Sequence, residues 1–420
     1  MCATYQQFLV DTLRQYRLTQ HDVIGIIEMY GFRISRTYHR RLQVCHHSGG
    51  FPFGHGFFLR SLYHTIFYKY RYENKNENIL SLFSCLCYSP ALEHGISLCH
   101  VIFIVPCHVP TEYLKLWICL QNGLASHDTF QRVFALLAPE ELERSFERWT
   151  QSVHVKTKGE IVSIDGKTVR GSRDKAHPIV HMVSAWADEN QLVLGQVRTE
   201  AKSNEITAIP TLLALLDLQG CIVTIDAMGC QKEIAKAITA KEADYVLSLK
   251  ENHPDLFDDV RTYFQDEENA LQSHKTHEKD HGRIEMRKYY LSADIDWLPA
   301  KPQWAGLNGI GMVCSDIQTG GKTTRETRYF ITSLSDVKDF ARAVRSHWGI
   351  ENSVHWCLDV IFHEDANRTR KNNSGENFSV IRRVALNLLR LNPSKMSLRC
   401  KRFRCQIDTD FLADVLFLPL

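Results

Sequence analysis

The stretch CIVTIDAMGCQ, residues 221–231, decides how this sequence folds. Its run Ile222, Val223, Thr224, Ile225 reads as a buried strand, because β-branched side chains fit a pleated surface and lose little freedom there. The run stops on Asp226 and turns through the small residues Ala227 and Gly229. An acid at the carboxyl end of such a strand falls at the rim of the sheet, where open α/β sheets form their ligand crevices. The segment EIVSIDGKTV, residues 160–169, has the same form and reads as a strand ending at Asp165.

The surroundings of these two strands give the fold class. HPIVHMVSAWA and QLVLGQVRT read as strands joined by the turn DENQ, and EITAIPTLLALLDLQG reads as a helix closed by Gly220. After Asp226 come a helix in CQKEIAKAITAKEA, a strand in DYVLSLK and a helix in HPDLFDDVRTYF. Three strands, a helix and then alternating strands and helices is the order of a ribonuclease-H-like mixed sheet with flanking helices, an α/β fold. In that order the strands of Asp165 and Asp226 are neighbours, about 4.8 Å apart, so both carboxylates face one pocket. Adjacent carboxylates repel unless a cation lies between them, and a hard divalent ion such as Mg²⁺ takes oxygen ligands. A lone strand-end aspartate is as readily a turn former; the matched pair favours the metal.

Farther along, RIEMRKYYLSA, GIGMVCSDI and TRYFITSL read as strands of a β-rich insertion at about 267–333, within a catalytic domain spanning 156–365. Ser335 and Asp336 then start the helix VKDFARAVRSHWGIENSVHWCLDVIF. At 100° per residue, Ile350, Val354, Cys357, Leu358 and Ile361 form an apolar stripe, and His347, Glu351 and His355 form a second stripe beside it. Glu351 therefore lies at the edge of the buried face, within reach of a metal shared with the two aspartates, although a solvated helix glutamate has the same spacing. Residues 366–420 read as a basic C-terminal helical segment, with eleven Lys and Arg against the single acid Glu376 between residues 366 and 405. Such asymmetry is an electrostatic footprint for a DNA backbone, with Arg399, Lys401 and Arg402 as contacts.

Upstream, Phe130, Val133, Phe134 and Leu137 recur at helical spacing behind Ser126 and Asp128, and a second helix follows Ala138-Pro139. Residues 111–155 are thus helical, with DNA binding among their roles. Residues 1–110, with FPFGHGFFLRSLYHTIFYKYRY, fit neither a period of 2 nor one of 3.6 and stay poorly assignable; the N-terminal region is expected to be helical.

Composition narrows the function classes. The 420 residues carry a net charge of +2, 23% charged and 44% hydrophobic residues, an ordinary globular balance for two or three domains. Thirteen cysteines without a CxxC pair, and no signal-peptide pattern, point to a reducing cytoplasm rather than a disulfide framework. The run ISLCHVIFIVPCHV is interrupted and too short for a span of about 20 residues, so no membrane partner is expected. GGKTT at 320–324 lacks the earlier glycine of a phosphate loop, which falls on Asp316, and the histidines at 347, 355 and 363 with Cys357 meet no zinc pattern. Trp348 and Trp356 read first as packing residues, with base stacking as the lesser reading.

The blocks SIDGKTVRGS, AKSNEITAIPTLLALLDLQGCIVTIDAMGCQKEIA, DYVLSLKENH, HGRIEMR and RSHWGIENSVHWCLDVIFHEDANRTR follow one another as in H-repeat-associated bacterial insertion-sequence transposases, a branch of the DDE enzymes, which this chain resembles from about Tyr113 to Leu416. The resemblance implies that Asp165, Asp226 and Glu351 form a catalytic acidic triad holding two ions, Mg²⁺ or Mn²⁺. It further implies cleavage of double-stranded DNA by water and strand transfer by a 3′-hydroxyl, at element ends and target, by a homodimer that is cytoplasmic and joins the nucleoid when bound. Related enzymes carry Tyr, Arg and Lys around the glutamate, where this chain has Val344, His347 and Leu358. The phosphate-holding roles then fall to His347, Arg345 or the basic tail, with Lys167, Lys250 and the cluster His281, Arg283 and Arg287 as further phosphate contacts. A catalytically silent DNA-binding remnant and a metal nuclease without strand transfer are the alternative readings.

Overall fold

The computed structural model describes residues 127–173, 179–199, 205–265, 272–280, 283–320 and 322–416. The expectations for residues 1–110 and for the start of the 111–155 segment lie outside them. Two helices come first, α1 (His127–Leu136) and α2 (Pro139–Val153), the second opened by a proline in its first turn, where a missing N–H costs nothing. Then follow β1 (Ile161–Val169), β2 (Val180–Ala187), β3 (Leu192–Arg198), α3 (Glu205–Leu215), β4 (Ile222–Ile225), α4 (Lys232–Thr239), β5 (Asp244–Leu249) and α5 (Pro254–Tyr263). The α3 helix stops five residues short of Gly220, which instead takes positive φ in the turn into β4.

β1 lies antiparallel to β2 and parallel to β4, and β4 lies parallel to β5, giving the order β3-β2-β1-β4-β5. This is the ribonuclease-H-like mixed sheet expected from the sequence. One expectation needs correcting: β1 does not end at Asp165 but runs on to Val169 against β2. It is the shorter β4 that stops, with Ile164 and Ile225 as the last paired residues, so Asp165 borders the opening left where β4 ends.

The insertion is built from β6 (Gln272–Asp280), β7 (Arg283–Ser292), β8 (Gly309–Thr319) and β9 (Lys322–Thr332). It is not a separate module. β9 pairs antiparallel with β5 and carries β8, β7 and β6 outward in one nine-stranded sheet. The QSHKTHEKD strand, which the sequence shows only as a charged stretch, is the outermost, and charged side chains on an edge strand discourage pairing with other chains. Of GGKTT, Gly320 follows β8 at positive φ and Lys322–Thr324 open β9, paired back onto β8, which is not the setting of a phosphate loop.

The chain closes with α6 (Val337–Ile350), a five-residue π turn (Glu351–His355), α7 (Trp356–Val360), α8 (Ser374–Leu391), α9 (Leu398–Ile407) and α10 (Thr409–Leu416). Asp336 caps α6 by accepting from the Lys338 and Asp339 amides at 2.8 and 3.0 Å, as its place before the apolar run suggested. Helix α6 covers the sheet face that carries Ile161, Ile222, Val313 and Phe330. Its Phe340 ring rests on Gly311 of β8, where any Cβ would come within 2.4 Å of the ring, so the insertion and the helix leading to Glu351 are locked together. On the opposite face Ile209, Leu212, Ile234 and Ile238 of α3 and α4 cover Val162, Ile164 and Val223.

A further apolar cluster gathers Phe134, Phe146 and Trp149 from α1 and α2, Leu358 from α7, Val384 and Leu388 from α8, and Leu412 from α10. Each large side chain so buried contributes about 2–3 kcal/mol. Helices from both ends of the described chain thus share one core, which crosses the boundaries expected at 155/156 and 365/366.

Candidate active site

Side chains alternate along β1, and Ser163 and Thr224 point to the α6 face, where Thr224 Oγ1 and Ser163 Oγ lie 3.0 Å apart. Asp165, two residues after Ser163 and just past the last β1–β4 pair, and Asp226, two after Thr224, continue on that face beside the end of β4. Asp165 Oδ1 accepts from the Gly166 amide at 2.9 Å, and Asp226 Oδ1 accepts from the Met228 and Gly229 amides at 3.1 and 3.2 Å. Burial pushes the Asp165 carboxyl up to about 6; His355 opposes this and the Asp226 charge adds to it. Burial also raises Asp226, with the Glu205 carboxylate contributing and Lys250 opposing.

The third acid arrives on the π turn, which runs from Glu351 to His355 and interrupts an otherwise continuous helix. Such turns give up regular α-helical hydrogen bonds and are frequent at functional sites. Here His355 Nδ1 lies 2.9 Å from Glu351 Oε2 and 3.6 Å from Asp165 Oδ2. One donor atom each from Asp165, Glu351 and His355 fall within 4.8 Å of one another. The His355 hydrogen bond holds the Glu351 carboxyl below its ordinary range. Asp226 stands outside this tight trio, beside Asp165 in the sheet. His347, a turn earlier, faces Thr224 with Nδ1 2.8 Å from its Oγ1, and burial brings its pKa down to about 4, so the ring is neutral near pH 7. The stripe read from helical phase is therefore split: Glu351 and His355 join the site, and His347 packs into its wall.

The basic residues divide more sharply. Lys167, expected at a DNA backbone, is 6% exposed and its ammonium lies 2.7 Å from Asp359, 3.2 Å from Asp365 and 3.6 Å from Glu364. It ties β1 to the segment that follows Glu351. The same junction brings the backbone carbonyls of Asp365 and Asn367 so close to Gly171 that no Cβ fits there. Lys250 is exposed at the end of β5. Arg345 pairs in a fork with Glu278 at 2.8 and 3.0 Å, Arg287 pairs with Glu278 and Glu285, and Arg283 with Glu285. His281 lies outside the described residues. Val344 and Leu358, at positions where related enzymes carry Tyr and Lys, are buried.

The basic tail is divided: Arg382, Arg383 and Lys401 are buried, whereas Arg368, Lys371, Lys395, Arg399 and Arg404 stay exposed. Arg382 and Arg383 are buried against Glu364, the latter with Nη1 at 3.2 Å, and Arg390 stacks on Trp186 and donates to Ser353 and Gln191. Lys401 is buried and caps α8 by donating to the Leu389 and Asn392 carbonyls at 2.9 and 2.6 Å. Arg402 donates to the Ile361 carbonyl and lies over Phe362, whereas Arg399 is exposed. Lys401 and Arg402 are thus corrected from DNA contacts to structural groups. Counting charges could not find this, because Lys401 and Arg402 are satisfied by backbone carbonyls, and the acid that meets Arg382 and Arg383, Glu364, sits outside the counted segment.

A mixed sheet of this strand order, with two rim aspartates and a glutamate on a following helix, defines a ribonuclease-H-like fold with an acidic rim. The Transposase DDE domain family matches residues 156–388. YncI of Escherichia coli O157:H7, named as a transposase, is 42% identical over 322 residues, covering 74% of this chain and 82% of the relative. YhhI of E. coli K12, named as H repeat-associated, is 36% identical over 318 residues, covering 73% and 84%. Among solved structures, piggyBac transposase in a synaptic complex with hairpin DNA overlaps 73% of this chain and 61% of that one at 10% identity and a TM-score of 0.36. The chain belongs to the DDE transposases, which makes it a DNA transposase by family.

Proposed function

We propose that Asp165, Asp226 and Glu351 jointly hold divalent cations, two Mg²⁺ or Mn²⁺ ions, and that the protein cuts double-stranded DNA at the ends of its insertion sequence and joins them to a target. The observation that carries this is the convergence of Glu351 and His355 on Asp165 of β1, beside the end of β4 that Asp226 follows. The donor set fits the group. Asp165 is a half-buried carboxyl raised to about 6, and charge of opposite sign is what such a carboxyl lacks. Bound ions would supply charge for the attacking and leaving oxygens of an in-line displacement at phosphorus. Asp226 is oriented for this by two backbone amides, and Lys167 fixes the helix segment carrying Glu351 against β1.

DNA contacts follow from what remains exposed. Lys250 beside Asp226 meets a backbone phosphate near the cut, and Arg399 meets one farther away. Arg283 and Arg345 reach DNA only by exchanging their carboxylate partners, and His347 and Lys167 act from within the protein. No described helix is long and apolar enough to cross a membrane. Work on cytoplasmic and nucleoid DNA, as a homodimer bridging two ends, completes the proposal.

The test is a pre-cut duplex of the element's end, carrying a free 3′-hydroxyl, incubated with plasmid and Mg²⁺. Joined product supports the proposal. Cutting of intact ends without joining reduces it to a nuclease, and DNA binding without either reaction reduces it to a catalytically silent remnant.

A further inference from the structure

We infer that His355 is a metal ligand of this site, giving it one nitrogen donor beside its carboxylates and a preference for Mn²⁺ over Mg²⁺. This rests on the proposed metal site and adds a residue and a selectivity to it. His355 is 4% exposed, yet its Nδ1 faces only the two site carboxylates, Glu351 Oε2 at 2.9 Å and Asp165 Oδ2 at 3.6 Å. Donors around a single ion at about 2.1 Å lie no more than about 4.2 Å apart. The trio here falls within 4.8 Å, so a small rotation of the exposed Glu351 side chain suffices. The other ring nitrogen, Nε2, is buried without a hydrogen-bond partner among the described residues. Both polar contacts of Nδ1 are to carboxylates of the site, the placement a ligand nitrogen needs. The π turn adds an independent sign, since it starts at Glu351 and ends at His355.

The selectivity follows from donor chemistry. Mg²⁺ is hard, takes oxygen ligands and demands near-octahedral geometry, whereas sites with nitrogen donors bind the first-row divalent ions in a series that begins at Mn²⁺. An all-carboxylate rim binds both ions by charge alone. Adding an imidazole raises Mn²⁺ affinity with little gain for Mg²⁺.

The experiment uses the full-length protein with one equivalent of Mn²⁺, read by pulsed electron paramagnetic resonance for ¹⁴N coupling and by calorimetry for affinity. The wild type is expected to show imidazole ¹⁴N modulation. In Asp165→Asn the first-equivalent signal should vanish with the site. In His355→Asn, whose amide oxygen replaces Nδ1, the modulation should disappear, Mn²⁺ affinity fall about tenfold or more, and Mg²⁺ affinity change less than about threefold. Tight Mn²⁺ binding by the wild type that Asp165→Asn abolishes, but without ¹⁴N modulation, overturns the role of His355 and leaves the carboxylate site standing. Mn²⁺ binding untouched by Asp165→Asn and Glu351→Gln overturns both. Should His355→Asn fail to fold, the wild-type spectrum alone decides.

Discussion

Replacing Asp165 by asparagine should make the metal-free protein more stable while abolishing its response to metal. The amide retains an oxygen for the Gly166 N–H and removes only the charge. Burial moves this carboxyl from its ordinary 3.8 to about 6, so keeping it ionised costs up to roughly 3 kcal/mol at about 1.4 kcal/mol for each pH unit. The sign follows from a pKa higher in the folded state. The cost is absent below about pH 4, where the acid is protonated whether folded or not, and complete above about pH 6. In EDTA at pH 8 the Asp165→Asn protein should therefore melt higher than wild type by up to about 6 °C, at about 2 °C for each kcal/mol in a protein of this size. At pH 4 the two should coincide. Excess Mg²⁺ or Mn²⁺ at a hundred times Kd should raise the wild type by about 2.7 kcal/mol and leave the variant unmoved. Scanning calorimetry at both pH values, with EDTA and with metal, reads all of this. A variant that melts below wild type in EDTA at pH 8 would refute the reasoning, because it would show the Asp165 charge to be satisfied by His355 without any cation.

Three other perturbations test the framework around the site. Lys167→Met should lower the urea midpoint, by a change worth about 3 kcal/mol or more, because it strands Glu364 and its neighbours without their shared ammonium; an unchanged midpoint would mean the brace is idle. Arg399→Ala should weaken DNA binding and flatten its salt dependence with no change in melting, whereas Lys401→Met should lower melting by uncapping α8, and the reverse pattern would exchange their roles. His347 has a folded-state pKa near 4, so the wild type should lose stability as pH falls below about 6.5 towards 4, and His347→Gln should lose less over that window in urea titrations at pH 7 and pH 5.

The parts of this structure that the sequence reveals are those set by local chemistry. Asp226 shows itself because a β-branched run stops on it, Asp165 because an apolar run meets an acid there even though its strand continues to Val169, and Glu351 because helical phase sets it beside an apolar stripe. What stays hidden depends on partners far along the chain. Lys167 looks like a surface cation until Asp359, Glu364 and Asp365 fold around it. The basic tail looks like a DNA strip until Arg382 and Arg383 turn inward onto Glu364 and Lys401 onto the end of α8. The polar β6 has no apolar alternation to announce it, since an edge strand half in solvent has no need of one. Constant 100° phase likewise conceals the π turn that sets His355 and Glu351 together and leaves His347 to Thr224.

The central claim is that three acids from β1, the end of β4 and the π turn act as one metal-dependent catalytic unit. It is tested most directly by DNA cleavage at the element's ends with Asp226→Asn, because Asp226 lies outside the tight trio and joins the site only if the unit is real. Circular dichroism and melting in EDTA establish beforehand that the variant is folded. The expected result is Mg²⁺-dependent cleavage by the wild type, none in EDTA, and none by folded Asp226→Asn at any metal concentration. Cleavage at the wild-type rate by Asp226→Asn would contradict the claim.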